Sequence, residues 1–224
     1  ISSDGYIDRA NANLQSFYIS TAYVNEKNAL RLNVFSGKEK TYQAWNGVAE
    51  NLLAASRTHN PSGTERPGLP YDNETDNYTQ THYQLFYNRE FNPYWKGNLA
   101  VFLTRGKGYY EQYKSGESFS DYGLPNQING TTVITETDLV RRLWLDNHFY
   151  GTIFSLQYRK HKTQLIIGGG YNAYDGKHYG TIKWTGIPAA IPANYRWYNT
   201  DAHKKDGSLY AKWIQQWGSH WQSF

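Results

Sequence analysis

Cysteine is absent from the 224 residues, so the chain forms no disulfide, holds no thiolate-bound metal and uses no cysteine nucleophile. The absence is compatible with passage through the periplasm. No stretch reaches the ~18 to 20 consecutive apolar residues of a transmembrane helix, which excludes a helical span. Ile1-Ser2-Ser3-Asp4 offers no basic region followed by an apolar one, so the sequence reads as starting after a removed signal or inside a longer chain. The seven histidines, at 59, 82, 148, 161, 178, 203 and 220, make no His-x-x-His or His-x-x-x-His pair. Without cysteine partners they predict no metal ligands. There is no Gly-x-Ser-x-Gly elbow, and spacing assigns no two carboxylates to one cleft. Gly168-Gly169-Gly170 lacks the following helix and Lys-Ser/Thr of a phosphate cradle, and reads instead as a place where a strand bends or is covered by aromatic neighbours. The expectation is therefore no catalytic residue, no metal, no cofactor and no enzyme activity.

What the sequence does contain is aromatic and amphipathic. Only 39% of residues are hydrophobic and the mean hydropathy is -0.78, yet there are 21 tyrosines and 8 tryptophans. Such side chains suit a boundary that is apolar at one end and wet at the other. Low hydropathy fits a water-filled barrel, in which only alternate residues meet lipid. The net charge of +4 is scattered. Lys38 to Lys40, Lys160 to Lys162 and Lys204-Lys205 read as solvated loop rims, and no nucleic-acid partner is expected.

Seven segments alternate apolar and polar residues with period two: Ala12 to Val24, Ala29 to Lys38, Tyr78 to Phe91, Lys96 to Gly106, Thr137 to Arg159, Thr163 to Tyr174 and Ser208 to Trp217. The fifth is about twice as long as the others. Phe154, Leu156 and Tyr158 alternate on one parity while Leu143, Leu145 and Phe149 sit on the other, which predicts a bulge near Gly151 or a protruding upper half. Between segments, short gaps (Asn25 to Asn28, Asn92 to Trp95, Lys160 to Lys162) alternate with long ones (Glu39 to Asn77, Lys107 to Glu136, Asp175 to Gly207). Asn60-Pro61-Ser62-Gly63 and Asn129-Gly130 mark turns within the long gaps. The fold class is thus all-β, an antiparallel up-and-down meander forming part of a transmembrane β-barrel, about seven strands of a larger one. Seven is odd, whereas single-chain bacterial barrels have even counts, so residues 1–224 read as one partial barrel domain. Phe91, Tyr94 and Trp95 near one boundary, and Tyr171, Tyr174, Tyr179 and Trp184 near the other, read as two aromatic girdles.

The long gaps are the expected ligand surface. Tyr42, Trp45, Arg57, His59 and Arg66 fall in the first, Tyr109, Tyr110, Tyr113 and Lys114 in the second, and His178, Trp184, Arg196, Trp197 and His203 in the third. Aromatic faces beside cations can hold an anionic, planar or glycosidic ligand by stacking, hydrogen bonding and charge pairing. The same aromatic loops on a soluble all-β module would serve carbohydrate binding or adhesion.

Four segments carry a family resemblance: Ser3 to Ala10 (SDGYIDRA), Phe35 to Gly47 (FSGKEKTYQAWNG), Arg142 to Gly151 (RLWLDNHFYG) and Tyr174 to Gly180 (YDGKHYG). They resemble the barrel of TonB-dependent receptors of the Bacteroidetes type, and the similarity runs across nearly the whole chain. The resemblance implies a 22-stranded barrel plugged by an N-terminal domain in the outer membrane of a Gram-negative bacterium. It implies import of an iron chelate such as a ferric siderophore, haem, cobalamin or a similar large nutrient, driven by the TonB complex. The 224 residues show no TonB box, plug or room for 22 strands, so they correspond to an internal portion of such a barrel, with outer-membrane lipid, TonB complex and nutrient ligand as expected partners. His178 lies inside the last of the four segments, where it would meet a ferric chelate or haem.

Overall fold

The computed structural model describes residues 1–224. Seven long strands form where the alternation predicts them: β2 (Asn11–Val24), β3 (Asn28–Tyr42), β4 (Thr75–Asn92), β5 (Trp95–Ser118), β8 (Glu136–Lys160), β9 (Thr163–Thr185) and β10 (Tyr198–Trp217). Three-residue strands flank them, β1 (Ser2–Asp4) and β11 (Trp221–Ser223), and a small hairpin joins β6 (Gln127–Asn129) to β7 (Thr132–Ile134). Nine strands make one antiparallel sheet in the order β1-β2-β3-β4-β5-β8-β9-β10-β11, so every long strand pairs with its neighbour in sequence. This is the expected meander.

The parity of the connections is kept. Residues 25–27, 93–94 and 161–162 turn at one end, while residues 43–74, 119–135 and 186–197 form three loops at the other. Asn25 and Asn92 build two of the tight turns. Their Oδ1 atoms accept from the backbone N–H of Asn28 (2.8 Å) and of Trp95 (3.0 Å), an Asx arrangement that fixes the reversal locally. The Asn129-Gly130 turn closes the β6–β7 hairpin, with Gly130 at φ +63°. The long loops are shorter than the sequence implies, because the strands run further, β4 for example from Thr75. β3 continues to Tyr42, β5 to Ser118 and β9 to Thr185, and β10 begins at Tyr198. Lys38 to Lys40 and Lys204-Lys205 therefore sit within strands and not on loop rims.

Register places the predicted apolar halves on one face. One row reads Tyr23, Leu30, Tyr87, Leu99, Phe154, Gly169 and Leu209 across the seven strands; the next reads Thr21, Leu32, Leu85, Val101, Thr152, Tyr171 and Gly207. From the row of Trp95, Tyr158, Leu165 and Trp213 to that of Ile19, Val34, Tyr83, Leu103 and Tyr150, the band rises eight residues along β5, about 27 Å at ~3.4 Å per residue. With the usual tilt of barrel strands this approaches the ~25 Å apolar belt of outer-membrane barrels. Beyond it the same face turns charged. Arg105, His148, Asp175 and His203 form one row and Lys107, Asp146, Lys177 and Asp201 the next, with Arg105 and Lys107 both paired to Asp146.

No element of the chain covers the apolar face. Only 22 of the 224 residues are buried, and Leu85, Leu99, Ile167 and Leu209 remain 37 to 81% exposed. A sealed sandwich interior is absent. The one buried apolar cluster, Phe119, Tyr122, Leu124 and Leu139, lies at the long-loop end, where residues 119–124 pack against Ile187, Ile191, Tyr195 and Trp197 of the third loop and its flank. The opposite face of the sheet is mixed. His82 there bonds Gln80 (2.8 Å) and Thr104 (3.0 Å) and stacks on Phe35 with centroids 4.4 Å apart.

Two expectations need correction in part, and a third is met. First, β8 is one continuous strand paired through Gly151 on both sides, so of the two alternatives the protruding upper half holds and the bulge near Gly151 does not; the register shifts lie higher, at Val140/Arg141 against β9 and at Lys114/Glu117 of β5. The parity change marks where the strand leaves the apolar band: Phe154 and Leu156 serve the apolar face, whereas Leu143, Leu145 and Phe149 point the other way. Gly151 instead admits β9, since an added Cβ would overlap the Tyr171 carbonyl and Asn172. Second, the upper girdle consists of Tyr83, Tyr150 and Tyr171. Tyr174 faces the opposite side, and Tyr179 and Trp184 stand beyond the charged rows, because β9 runs eleven residues past Tyr174. The lower girdle is as expected, with Trp95 against Tyr158 at 4.9 Å. The Gly168-Gly169-Gly170 run follows the second of its two expected readings, cover by an aromatic neighbour: Tyr210 lies over Gly168, with Leu209 over Gly169, and β9 runs on unbroken.

Candidate ligand-binding site

The long-loop end is held by polar networks between the first loop and the strands beneath it. Asn60, fully buried, donates from Nδ2 to the carbonyls of Asp8 (3.0 Å) and Gln43 (3.1 Å), and its Oδ1 accepts from Ser62 N–H (3.1 Å). Arg9, in a left-handed conformation at φ +61°, donates to the Ser62 carbonyl (2.9 Å) and to the hydroxyl of Tyr42 (3.2 Å). Further along, Glu111 accepts from Arg142 (2.6 Å), Tyr71 (2.7 Å) and Asn73 (2.5 Å). Burial alone would raise the Glu111 carboxyl, but these donors outweigh it and hold it below the ordinary glutamate value. Glu74 is the reverse case. Burial pushes it up, against bonds from the Tyr110 hydroxyl (3.1 Å) and the Gly63 N–H.

Most residues expected in the second and third gaps stand on strands instead. Tyr109, Tyr110, Tyr113 and Lys114 belong to β5, Tyr42 ends β3, His178 and Trp184 lie on β9 and His203 on β10. Only Trp45, Arg57, His59, Arg66, Arg196 and Trp197 are in loops. Lys114 is paired with Glu65. Tyr42 and Tyr113 are buried, with hydroxyls committed to the carbonyls of Ser62 and Tyr71 and to Asp138. Trp197 packs beneath Tyr122 and over Gly180. Tyr109 joins a ladder with Trp144 (4.6 Å) and Tyr179 (5.7 Å), capped by Arg142 4.1 Å from the Tyr109 ring and Arg196 3.7 Å from the Tyr179 ring. His203 pairs with Asp175 at 2.6 Å on the charged outer rows. Arg57 and Arg66 are exposed and His59 half-buried, apart from these clusters.

Three expected residues line one pocket: Tyr110 and His178 on its face, and Tyr109, which stands between Gly108 and Tyr110 in β5 with its ring in the ladder on the other face. The pocket is a cavity of about 300 Å³ on the mixed face, with Asp76, Tyr78, Leu143, Leu145 and Tyr198 as its other inward-facing walls. The Trp45 ring stands edge-on to Tyr110 at 6.0 Å and is 62% exposed, so it forms the rim. Glycine underlies the aromatic rings in and around the pocket, with Gly108 in its lining. Gly106 and Gly108 lie under the Tyr78 ring, Gly176 under Tyr174 and Gly180 under Trp197 and Tyr198, and a Cβ at any of them would overlap a ring. The aromatic walls therefore lie flat on backbone. A second cavity of about 790 Å³ adjoins across Tyr78, lined by Leu14, Ser16, Gly37, Glu39 and Gln80 of the same face.

In three dimensions the chain is similar to the ferric-catecholate import receptor Fiu of E. coli K12 in its open form, with a TM-score of 0.61 over 94% of this chain and 35% of that one, at 14% identity. It is similar in the same way to BauA, the ferric preacinetobactin receptor of Acinetobacter baumannii, with a TM-score of 0.54 over 95% and 32%, at 10% identity. The fold is that of a TonB-dependent receptor barrel segment. At these identities the likeness is one of fold, and the chain spans about a third of the length of the solved structures it matches. No family model matches the sequence and no curated protein is similar to it in sequence. On this barrel-segment fold the pocket occupies the long-loop end of the face opposite the apolar band. Tyr78, Leu143, Leu145 and Tyr198 were not foreseen. Their signal was alternation continuing past the band, as in Asp76, Tyr78 and Gln80 on one side of β4.

Proposed function

We propose that the chain forms part of the wall of an outer-membrane barrel in a Gram-negative bacterium, within a TonB-dependent receptor of the Bacteroidetes type. The reading rests on one observation: an apolar band crossing seven strands, broken at its upper edge by Lys205 on β10, which nothing in the chain covers and which ends at charged rows on the long-loop side. An uncovered apolar surface of that extent calls for a nonaqueous neighbour, and lipid matches its height. The fold likeness to two ferric-chelate receptors supports the assignment.

On this reading the mixed face lines the lumen and residues 1–224 are one partial barrel domain. The plug and the other strands are supplied by the rest of a longer protein, and TonB acts through that plug. The cargo is a large nutrient such as a ferric siderophore, haem or cobalamin, and the chain performs transport and no covalent chemistry. Trp45, Tyr110 and His178 are the expected residues best placed to touch cargo. Trp184, Arg196, Arg57, His59 and Arg66 are accessible first contacts for it at the long-loop end.

Cell fractionation tests the reading. The full gene product is expected in the outer-membrane fraction, extracted only by detergent and running faster on gels unheated than boiled. A protein that is monomeric and folded in plain buffer overturns it.

A further inference from the structure

The pocket's charge points to its ligand. Its walls are three tyrosines, two leucines and His178, and the only formal charge among its lining residues is Asp76. Asp76 has no ion-pair partner. Its one side-chain bond comes from Gln43 Nε2 at 3.3 Å. Two more carboxylates stand close with no ion-pair partner: Glu74, bonded to the Tyr110 hydroxyl, and Glu39, which pairs in register with Tyr78 and lines the adjoining cavity beside Lys38.

The basic residues at this height go elsewhere. Register turns Lys38, Lys40, Lys107 and Lys177 to the opposite face, and Arg105 and Arg142 are tied to Asp146 and Glu111. Three cations share the pocket's face nearby. Lys114, four residues along β5 from Tyr110, is paired with Glu65. Arg141 is occupied by Gln112 and the Tyr122 hydroxyl, and Lys204 lies four residues along β10 from Thr200, the partner of His178, about 14 Å away. Aromatic rings add to the same preference, because their faces attract cations and repel anions.

Resting on the receptor reading above, we propose that this pocket binds a cationic ligand, a protonated amine set beside an apolar or planar surface, and discriminates against polyanionic chelates. Asp76 takes the ammonium group, Tyr78, Tyr110 and Tyr198 cover the apolar part, and Glu39 receives further donors from the adjoining cavity.

The test uses the full gene product in detergent and tryptophan fluorescence to follow binding of two probes. One is a ferric trihydroxamate carrying a free ammonium group, net +1; the other is a ferric tris-catecholate, net -3. The cationic chelate is expected to bind at least about tenfold more tightly, with Asp76→Asn losing about tenfold and Asp76→Glu restoring most of it. Heat-modifiable migration confirms that each variant is folded. Equal or tighter binding of the tris-catecholate overturns the proposal, as does a folded Asp76→Asn variant that keeps the preference. Binding of neither chelate by a protein that still fractionates with the outer membrane overturns the ligand class and leaves the receptor reading intact. A soluble, detergent-independent protein overturns the receptor reading itself.

Discussion

Glu74 and Glu111 lie on either side of the first loop's junction with the sheet, and each is nearly buried, yet their environments act in opposite directions. Three donors converge on Glu111, so its ionised form is the one the fold prefers. A carboxyl held low stabilises the fold fully above its unfolded value, ~4.3, and the contribution is lost as pH falls through the lower folded value. Glu74 is held high, so its ionisation at neutral pH opposes the fold, and that cost is relieved as the medium is acidified towards its raised value. Replacing each by glutamine separates them. Glu111→Gln should cost about 2 kcal/mol at pH 7 by leaving Arg142 unpaired, whereas Glu74→Gln should be neutral or slightly stabilising, since the amide oxygen still accepts from Tyr110. Denaturant titration of the two variants, with proteolysis of the first loop as a local readout, checks the contrast. Equal destabilisation would show that the environments are not distinct.

At the scale of the element, what decides stability is how closely one strand approaches the next. Gly151 sits where the backbone of β9 leaves no room for a Cβ, while Gly37 on β3 has open space around it. Gly151→Ala should therefore loosen the β8–β9 pairing by about 1 to 3 kcal/mol, and Gly37→Ala should be harmless or mildly stabilising. Amide exchange along β9 would report the first, and an unchanged β9 in Gly151→Ala would refute the close-approach account.

The same elements show what was readable in advance. Within the band, lipid-side and lumen-side residues differ enough for period two to register, and all seven strands were found there. Beyond it both faces meet water, so sequences such as Lys107 to Lys114 carry polar and aromatic residues on each parity and read as loop, although they continue β5. That misreading moved Tyr109, Tyr113 and His203 into an imagined loop surface. It also hid Tyr78 and Tyr198, whose place in the pocket follows only from register across β4, β9 and β10. The short strands β1 and β11 were missed because three residues are too few to show a period.

For the whole molecule, the two faces of one sheet should respond differently to the same charge. Leu99 lies mid-band on the apolar face and Gln84 on the other. Leu99→Arg in the full protein should cost about 2 to 4 kcal/mol in lipid vesicles, the usual penalty for a cation at the bilayer midplane, while Gln84→Arg should stay within about 0.5 kcal/mol. Urea unfolding in vesicles measures both, and a tolerant Leu99 site would place hydrocarbon elsewhere.

The strands that overshoot the band set the conditions under which the pocket works. Tyr78 stands five residues above Tyr83, the topmost apolar position of β4, about 17 Å along the strand. That exceeds the ~8 Å Debye length of physiological saline, so Asp76 and Glu39 answer to ions in the medium rather than to charges at the bilayer surface. Capture at this height is consequently tuned by salinity: strong in dilute surroundings, where the carboxylates reach far, and reduced to shape and stacking in brine.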